Sequence, residues 1–200
     1  MKDYGVKTQL VTIDGNEYVR VTMAGTDFDL PFLVLGGKKV GFLDVSGQVL
    51  MNEKAADVLV EKLKDSGIKF DTILNPVAKS NALAHAIAVR WAAQVDPSLT
   101  YTVVARKAKP GDKHAVEASY RSVTTSVEQT MYLTDSDVAY LKGKNVLMVD
   151  DVYGAGGTTK ALRSLLEQAG ANIAGHAVEA VEQGGDYPDD LVYLYELPVI

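Results

Sequence analysis

Two rhythms of apolar residues divide the chain. Through roughly the first 50 residues, apolar positions come in short alternating runs at Gln9–Ile13, Tyr18–Met23, Phe32–Leu35 and Val40–Val45. Turn signals at Asp14-Gly15-Asn16 and Gly36-Gly37-Lys38-Lys39 separate them, so this region is predicted to fold as β-hairpins. From Asn52, the predicted N-cap of a helix, the spacing changes to Ala55, Ala56, Leu59, Val60 and Leu63 on one face, and Ser66-Gly67 ends it.

Short apolar runs and helical faces then alternate. A strand is predicted at Phe70–Leu74, a turn from Asn75 to Ser80, a helix through Leu83, Ile87 and Trp91, and a strand at Thr102–Ala105. Between Lys107 and about Gln129, around Pro110-Gly111-Asp112-Lys113, the pattern lapses. This predicts a long mobile loop of the kind that often serves as a functional lid. Thr134-Asp135-Ser136-Asp137 is predicted to cap a short helix, and strands are expected at Val146–Val149, Ile173–Val181 and Leu191–Leu197. Strands alternating with helices predict an α/β fold, a mostly parallel sheet flanked by helices, with residues 1–50 as a small β-rich hood on a single domain spanning 1–200.

At 200 residues and 47% hydrophobic content, the chain can bury one substantial core. It has no cysteine, which removes disulfides and thiolate metal sites and fits a reducing cytoplasm. No apolar run approaches membrane-spanning length and no signal stretch opens the chain, so a soluble cytoplasmic protein without a membrane partner is expected. The net charge of −6 argues against nucleic-acid binding and leaves any polyphosphate ligand to local cations and backbone amides. His85 and His176 lie in apolar stretches and His114 in the loop, a spacing that suits no metal site.

The chemistry concentrates in VLMVDDVYGAGGTT, Val146 to Thr159. Its apolar strand delivers Asp150 and Asp151 to the carboxyl edge of the sheet, where open α/β folds bind ligands. Gly154, Gly156 and Gly157 allow a tight turn with N–H groups aimed at phosphate oxygens. Thr158 or Thr159 is expected to cap the next helix, whose face is Leu162, Leu165, Leu166 and Ala169 and whose end is Gly170. The positive end of that helix adds to an anion site. Adjacent carboxylates repel, and a metal ion or sugar hydroxyls relieve them. The spacing is not the G-x-G-x-x-G of a Rossmann module, which would bind NAD or ATP instead.

This motif resembles the phosphoribosyl-pyrophosphate (PRPP) binding motif of the type I phosphoribosyltransferases, most like the purine (adenine and xanthine) enzymes, over roughly residues 70–182. The resemblance implies that Asp150 and Asp151 hold the ribose hydroxyls, partly through Mg²⁺, while Gly154, Ala155, Gly156, Gly157 and Thr158 wrap the 5′-phosphate. It implies a pyrophosphate site at Ala78, Lys79 and Ser80, joined by Arg106, Lys107 and Lys109 from VVARKAKP, with Lys107 and Lys109 helping catalysis in what is expected to be a homodimer. Tyr153 and Glu182 are the candidates for contacting the base, and a carboxylate at 182 would accept from an exocyclic amine, which favours adenine.

Three departures stand out. Ala155 replaces a threonine of the family, Val77 an acid, and Ser122-Val123-Thr124 offers no counterpart to the glutamate of the catalytic loop, although Tyr120 is kept. The implied activity is transfer of 5-phosphoribosyl from PRPP to a purine with release of pyrophosphate. A noncatalytic PRPP-binding regulator and a xanthine or guanine enzyme are the alternatives.

Overall fold

Alternation in the first part of the chain becomes an antiparallel meander of β1 (Lys7–Ile13), β2 (Asn16–Met23), β3 (Thr26–Leu35) and β4 (Lys38–Gly41). The computed structural model describes residues 2–111, 114–121 and 128–200. Two-residue turns at Asp14-Gly15 and Gly36-Gly37 take positive φ, which matches the twist of hairpin strands. On β2, Val19, Val21 and Met23 point to the core, while Arg20 on the other face makes two hydrogen bonds to Asp29 at 2.7 and 2.8 Å. The far edge is closed by the last residues of the chain: Lys39 and Ile200 exchange backbone hydrogen bonds of 2.7 and 2.8 Å.

The rest of the chain continues α1 (Val49–Ser66), β5 (Thr72–Pro76), α2 (Asn81–Gln94), β6 (Val103–Ala105), β7 (His114–Arg121), β8 (Glu128–Thr134), α3 (Asp135–Leu141), β9 (Asn145–Tyr153), α4 (Gly157–Ala169), β10 (Asn172–Glu182), β11 (Leu191–Val192) and β12 (Tyr195–Leu197). The main sheet has the order β11-β10-β9-β5-β6, with β12 also on β10, and every pairing is parallel. β9 lies at its centre because its side chains are apolar on both faces. Leu147 and Val149 enter a cluster with Leu59 and Leu63 of α1, Ile87 and Trp91 of α2, and the inward face of β2. Val146 and Met148 enter a second cluster with Leu162, Leu165 and Leu166 of α4.

Three local expectations need correction. Asn52 does not cap α1. The helix begins earlier, after Gln48, and Asn52 is buried in its first turn, where Nδ2 donates to Val45 O at 2.7 Å and Gln48 O at 2.8 Å. Neither Thr158 nor Thr159 caps α4; Gly156, in left-handed conformation, takes that place, and Thr159 is buried. The stretch read as a long mobile loop contains the antiparallel pair β7–β8. Ala118, Met131 and Leu133 of that pair join the α4 cluster, and Gln168 Nε2 donates to Glu117 O at 3.0 Å. Residues 122–124, where the family glutamate has no counterpart, fall outside the described residues. The capping box of α3, Thr134 with Asp137, forms as read. Among the described residues, no helix is long and apolar enough to cross a membrane.

Met131 is fully buried between the β-pair and α4. Met131→Ala is expected to cost about 2–5 kcal/mol of stability in urea denaturation. A loss below about 1 kcal/mol would show that β8 adds little to the core.

Candidate functional site at the carboxyl edge of the sheet

A cleft of about 270 Å³ opens where the strand ends of the parallel sheet meet the hood. The strand ends supply its polar floor: Asp150 and Asp151 on β9, the loop Gly154 to Thr158, Ala78 and Lys79 after β5, and Lys107 after β6. Leu33, Leu35, Val40 and Phe42 of the hood, with Val152 and Leu197, supply an apolar wall. Tyr153 and Glu182 line it as well.

Asp150 is almost wholly buried, and its Oδ1 accepts from the Asp151 N–H at 2.9 Å. Burial and then the neighbouring charge of Asp151 push its carboxyl well above the usual range, while Lys107 acts in the opposite sense. Two carboxylate groups are hard oxygen donors suited to Mg²⁺, which ordinarily completes its shell with water and substrate oxygens. Among the described residues no cluster of three or more His, Cys, Asp or Glu forms a ready-made cation cage.

Two glycines of the loop are closely approached by side chains, and Gly156 also takes a left-handed conformation. A Cβ on Gly154 would lie 2.9 Å from Glu182 Oε2, and one on Gly156, where φ is +75°, would lie 2.7 Å from the Tyr153 hydroxyl. The glycine loop is therefore packed against both candidate base residues. The Tyr153 hydroxyl also donates to Asp186 O at 3.4 Å. Glu182 is half-buried, and desolvation pushes its carboxyl upward.

The loop after β5 is braced from below. Val77 N donates to Ala105 O at 3.0 Å, Ser80 Oγ to Pro76 O at 2.9 Å, and Asn75 Nδ2 to Asn81 Oδ1 at 2.8 Å. Ser80 is thus buried in the brace, and Lys79 alone of the three predicted residues extends a polar side chain toward the cleft. Its Nζ lies 5.0 Å from the Phe42 ring centroid. Arg106 is turned elsewhere, pairing with Asp137 at 2.7 Å, and neither it nor Lys109 lines the cleft.

Tyr120, the loop tyrosine that the resemblance keeps, and four hood residues that the sequence did not single out complete the site. Tyr120 lies on β7 and lines the cleft, and its hydroxyl donates to Gln129 Oε1 at 2.8 Å. Burial and the charge of Asp150 raise its phenol, and Thr158 beside it acts in the opposite sense. The alternation Val116, Ala118, Tyr120 is the signal that would have placed it. The four hood residues carry no local signal, since only tertiary folding brings them over the strand ends.

Comparison with known proteins agrees with this geometry. A family model for the phosphoribosyl transferase domain matches residues 48–197. Adenine phosphoribosyltransferases of Corynebacterium kroppenstedtii and Corynebacterium jeikeium are 58% and 42% identical over 19% and 34% of this chain, stretches that span only 21% and 31% of their own length. The purine biosynthesis transcriptional repressor PurR of Bacillus subtilis is 27% identical over 86% of this chain and 56% of its own. Among solved structures, the adenine phosphoribosyltransferase of Thermoanaerobacter pseudethanolicus has the same fold, with a TM-score of 0.61 at 23% identity over 84% of this chain and 95% of that one.

Two buried ionisable groups stand behind the site on β10. Glu179 is fully buried; the Tyr195 hydroxyl donates to its Oε1 at 2.7 Å, and burial pushes its carboxyl up to about 8. His176, also fully buried, is pushed down to about 3 by the same cause. The unfolded chain ionises Glu179 above its ordinary 4.5 while the fold keeps it protonated, so stability falls as pH rises from there to about 8. On acidification below 6.5 the unfolded chain protonates His176 while the fold refuses the proton until about 3, so stability falls in that direction too. Glu179→Gln is expected to flatten the alkaline decline, gaining on the order of 2 kcal/mol near pH 8 relative to pH 5 in urea melts. An unchanged slope would remove Glu179 as its cause.

Proposed function

The chain belongs to the phosphoribosyl transferase domain family, and from that premise we propose that it transfers the 5-phosphoribosyl group of PRPP to a purine, with adenine preferred, releasing pyrophosphate. The observation that carries this reading is convergence: an acid pair, a glycine loop at a helix N-terminus, two lysines and an apolar wall share one cleft.

In this reading the N–H groups of residues 154–158 and the Thr158 hydroxyl take the 5′-phosphate, and the acid pair fixes the ribose hydroxyls. Lys79 and Lys107 hold the pyrophosphate as it leaves with the electron pair of its bond to the anomeric carbon. That bond breaks ahead of the new carbon–nitrogen bond, so the developing cationic sugar lies over carboxylates that favour it, and the proton of the purine nitrogen is released. Mg²⁺, held by Asp150 and Asp151 together with ligand oxygens, would neutralise charge on the pyrophosphate. The hood wall excludes water that would hydrolyse PRPP. Glu182, half-buried beside the loop, is suited to accept from the exocyclic amine of adenine, as is Tyr153 to flank the base. A cytoplasmic homodimer completes the reading, supported by the cysteine-free composition and by the resemblance of the basic cluster at residues 106–109 to one that in the family sometimes acts across a dimer interface.

A second reading, a PRPP-binding regulator without turnover, is favoured by Ala155, by the lack of a loop glutamate and by the similarity to PurR along most of this chain. Calorimetry with PRPP and Mg²⁺, followed by nucleotide formation screened over adenine, hypoxanthine, guanine, xanthine, uracil and orotate, separates the two. Binding with adenine turnover supports the enzyme, and binding without turnover on any base supports the regulator. Asp151→Asn is expected to lower turnover by about 100-fold or more while leaving the melting temperature within a few degrees, because the side chain sits at the cleft and not in the core. Unaltered kinetics in that variant would take Asp151 out of the mechanism.

A further inference from the structure

Lys79 has two uses that exclude each other. Its loop is fixed beneath by the hydrogen bonds of Val77, Ser80 and Asn75, so the side chain alone is free to choose its position. Phe42 is fixed as well, since its N–H donates to Pro31 O at 2.8 Å and ties the residue to β3. Across the cleft mouth between them, the Lys79 ammonium lies 5.0 Å from the Phe42 ring centroid. The nearby Asp44 carboxylate is taken up by Ser46, accepting from its N–H at 3.2 Å and its Oγ at 2.7 Å. Among the described residues Lys79 makes no ion pair within 4 Å; its charge reaches Asp44, whose carboxyl it helps to lower, and its ammonium lies over the aromatic face.

We propose that this contact couples the two halves of the site: the Lys79 ammonium covers Phe42 until a pyrophosphate group draws it away, and the uncovered ring then stacks on the purine. The inference rests on the functional reading above. An ammonium over a ring face is attracted by the ring quadrupole, and a flat base stacking on that face must displace it. Phosphate oxygens compete for the same ammonium with full charge, so their arrival removes the obstacle. The coupling is reciprocal: pyrophosphate tightens purine binding, and purine tightens pyrophosphate binding by the same factor. For a partly exposed cation over an aromatic ring that factor is about two- to fivefold.

Calorimetric titration of the full chain with adenine, with and without saturating magnesium pyrophosphate, tests this. In the wild-type chain pyrophosphate is expected to tighten adenine binding about two- to fivefold. Lys79→Met keeps the length of the side chain and removes its charge. It is expected to bind adenine about two- to fivefold more tightly than wild type without pyrophosphate, to bind pyrophosphate more weakly, and to lose the coupling. Phe42→Leu is expected to bind pyrophosphate more tightly and adenine more weakly. A lysine that merely supported the loop would weaken adenine binding when replaced. Wild-type adenine affinity indifferent both to pyrophosphate and to Lys79→Met overturns the coupling. A wild-type chain that binds neither adenine nor pyrophosphate overturns the functional reading itself.

Discussion

Placing two carboxylates on consecutive residues at the end of a buried central strand costs free energy, and the rest of the site is arranged around that cost. Asp150 is nearly enclosed, and its carboxyl is pushed upward by burial and by Asp151. What opposes the penalty is local: the Asp151 N–H on Oδ1 and the positive charge of Lys107. These do not fully offset the penalty, so the pair is left where hydroxyl donors or a divalent cation would relieve it. The all-parallel sheet makes this possible, because parallel strands bring all their carboxyl ends to one edge, and the acids of β9, the anion loop after β5 and Lys107 after β6 meet there.

The strand, acid pair, glycine turn and helix were legible from residues 146–170 because they are contiguous and each step has a local cause. The caps were harder. Thr158 and Thr159 have the right chemistry for an N-cap, yet Gly156 reaches a left-handed φ that a threonine would resist, and the helix starts there. Asn52 likewise has a capping side chain, but its amide is spent holding the hood-to-α1 connection from inside the first turn. Local propensity names residues able to cap, and tertiary contacts decide which of them does so.

The β7–β8 pair escaped for a different reason. Its inward face, Val116, Ala118 and Tyr120, alternates with Glu117 and Ser119 as a half-buried strand should, but the run is short and follows the turn signal Pro110-Gly111-Asp112-Lys113, which masks it. It packs on α4, and Ala118, Met131 and Leu133 share one buried cluster with the leucines of that helix. Arg106 shows the same limit for charge. Its position at the end of β6 suggested an anion contact, but the N-terminal turn of α3 places Asp137 within 2.7 Å, and that carboxylate claims the guanidinium.

The glycine loop and the ends of β9 and β10 are more closely joined than their sequence segments suggest. Gly154 accommodates the Glu182 carboxylate and Gly156 the Tyr153 ring, so a side chain at either glycine would displace a residue on the base side of the cleft. A change in the glycine loop is therefore also a change in the part of the cleft lined by Tyr153 and Glu182. Lys79 reaching Phe42 makes the same connection from the opposite side. With both walls tied to the loops after β5 and β9, neither side of the cleft changes without the other. Substitutions such as Ala155 must accordingly be weighed for their effect on the whole cleft as well as for one lost hydroxyl.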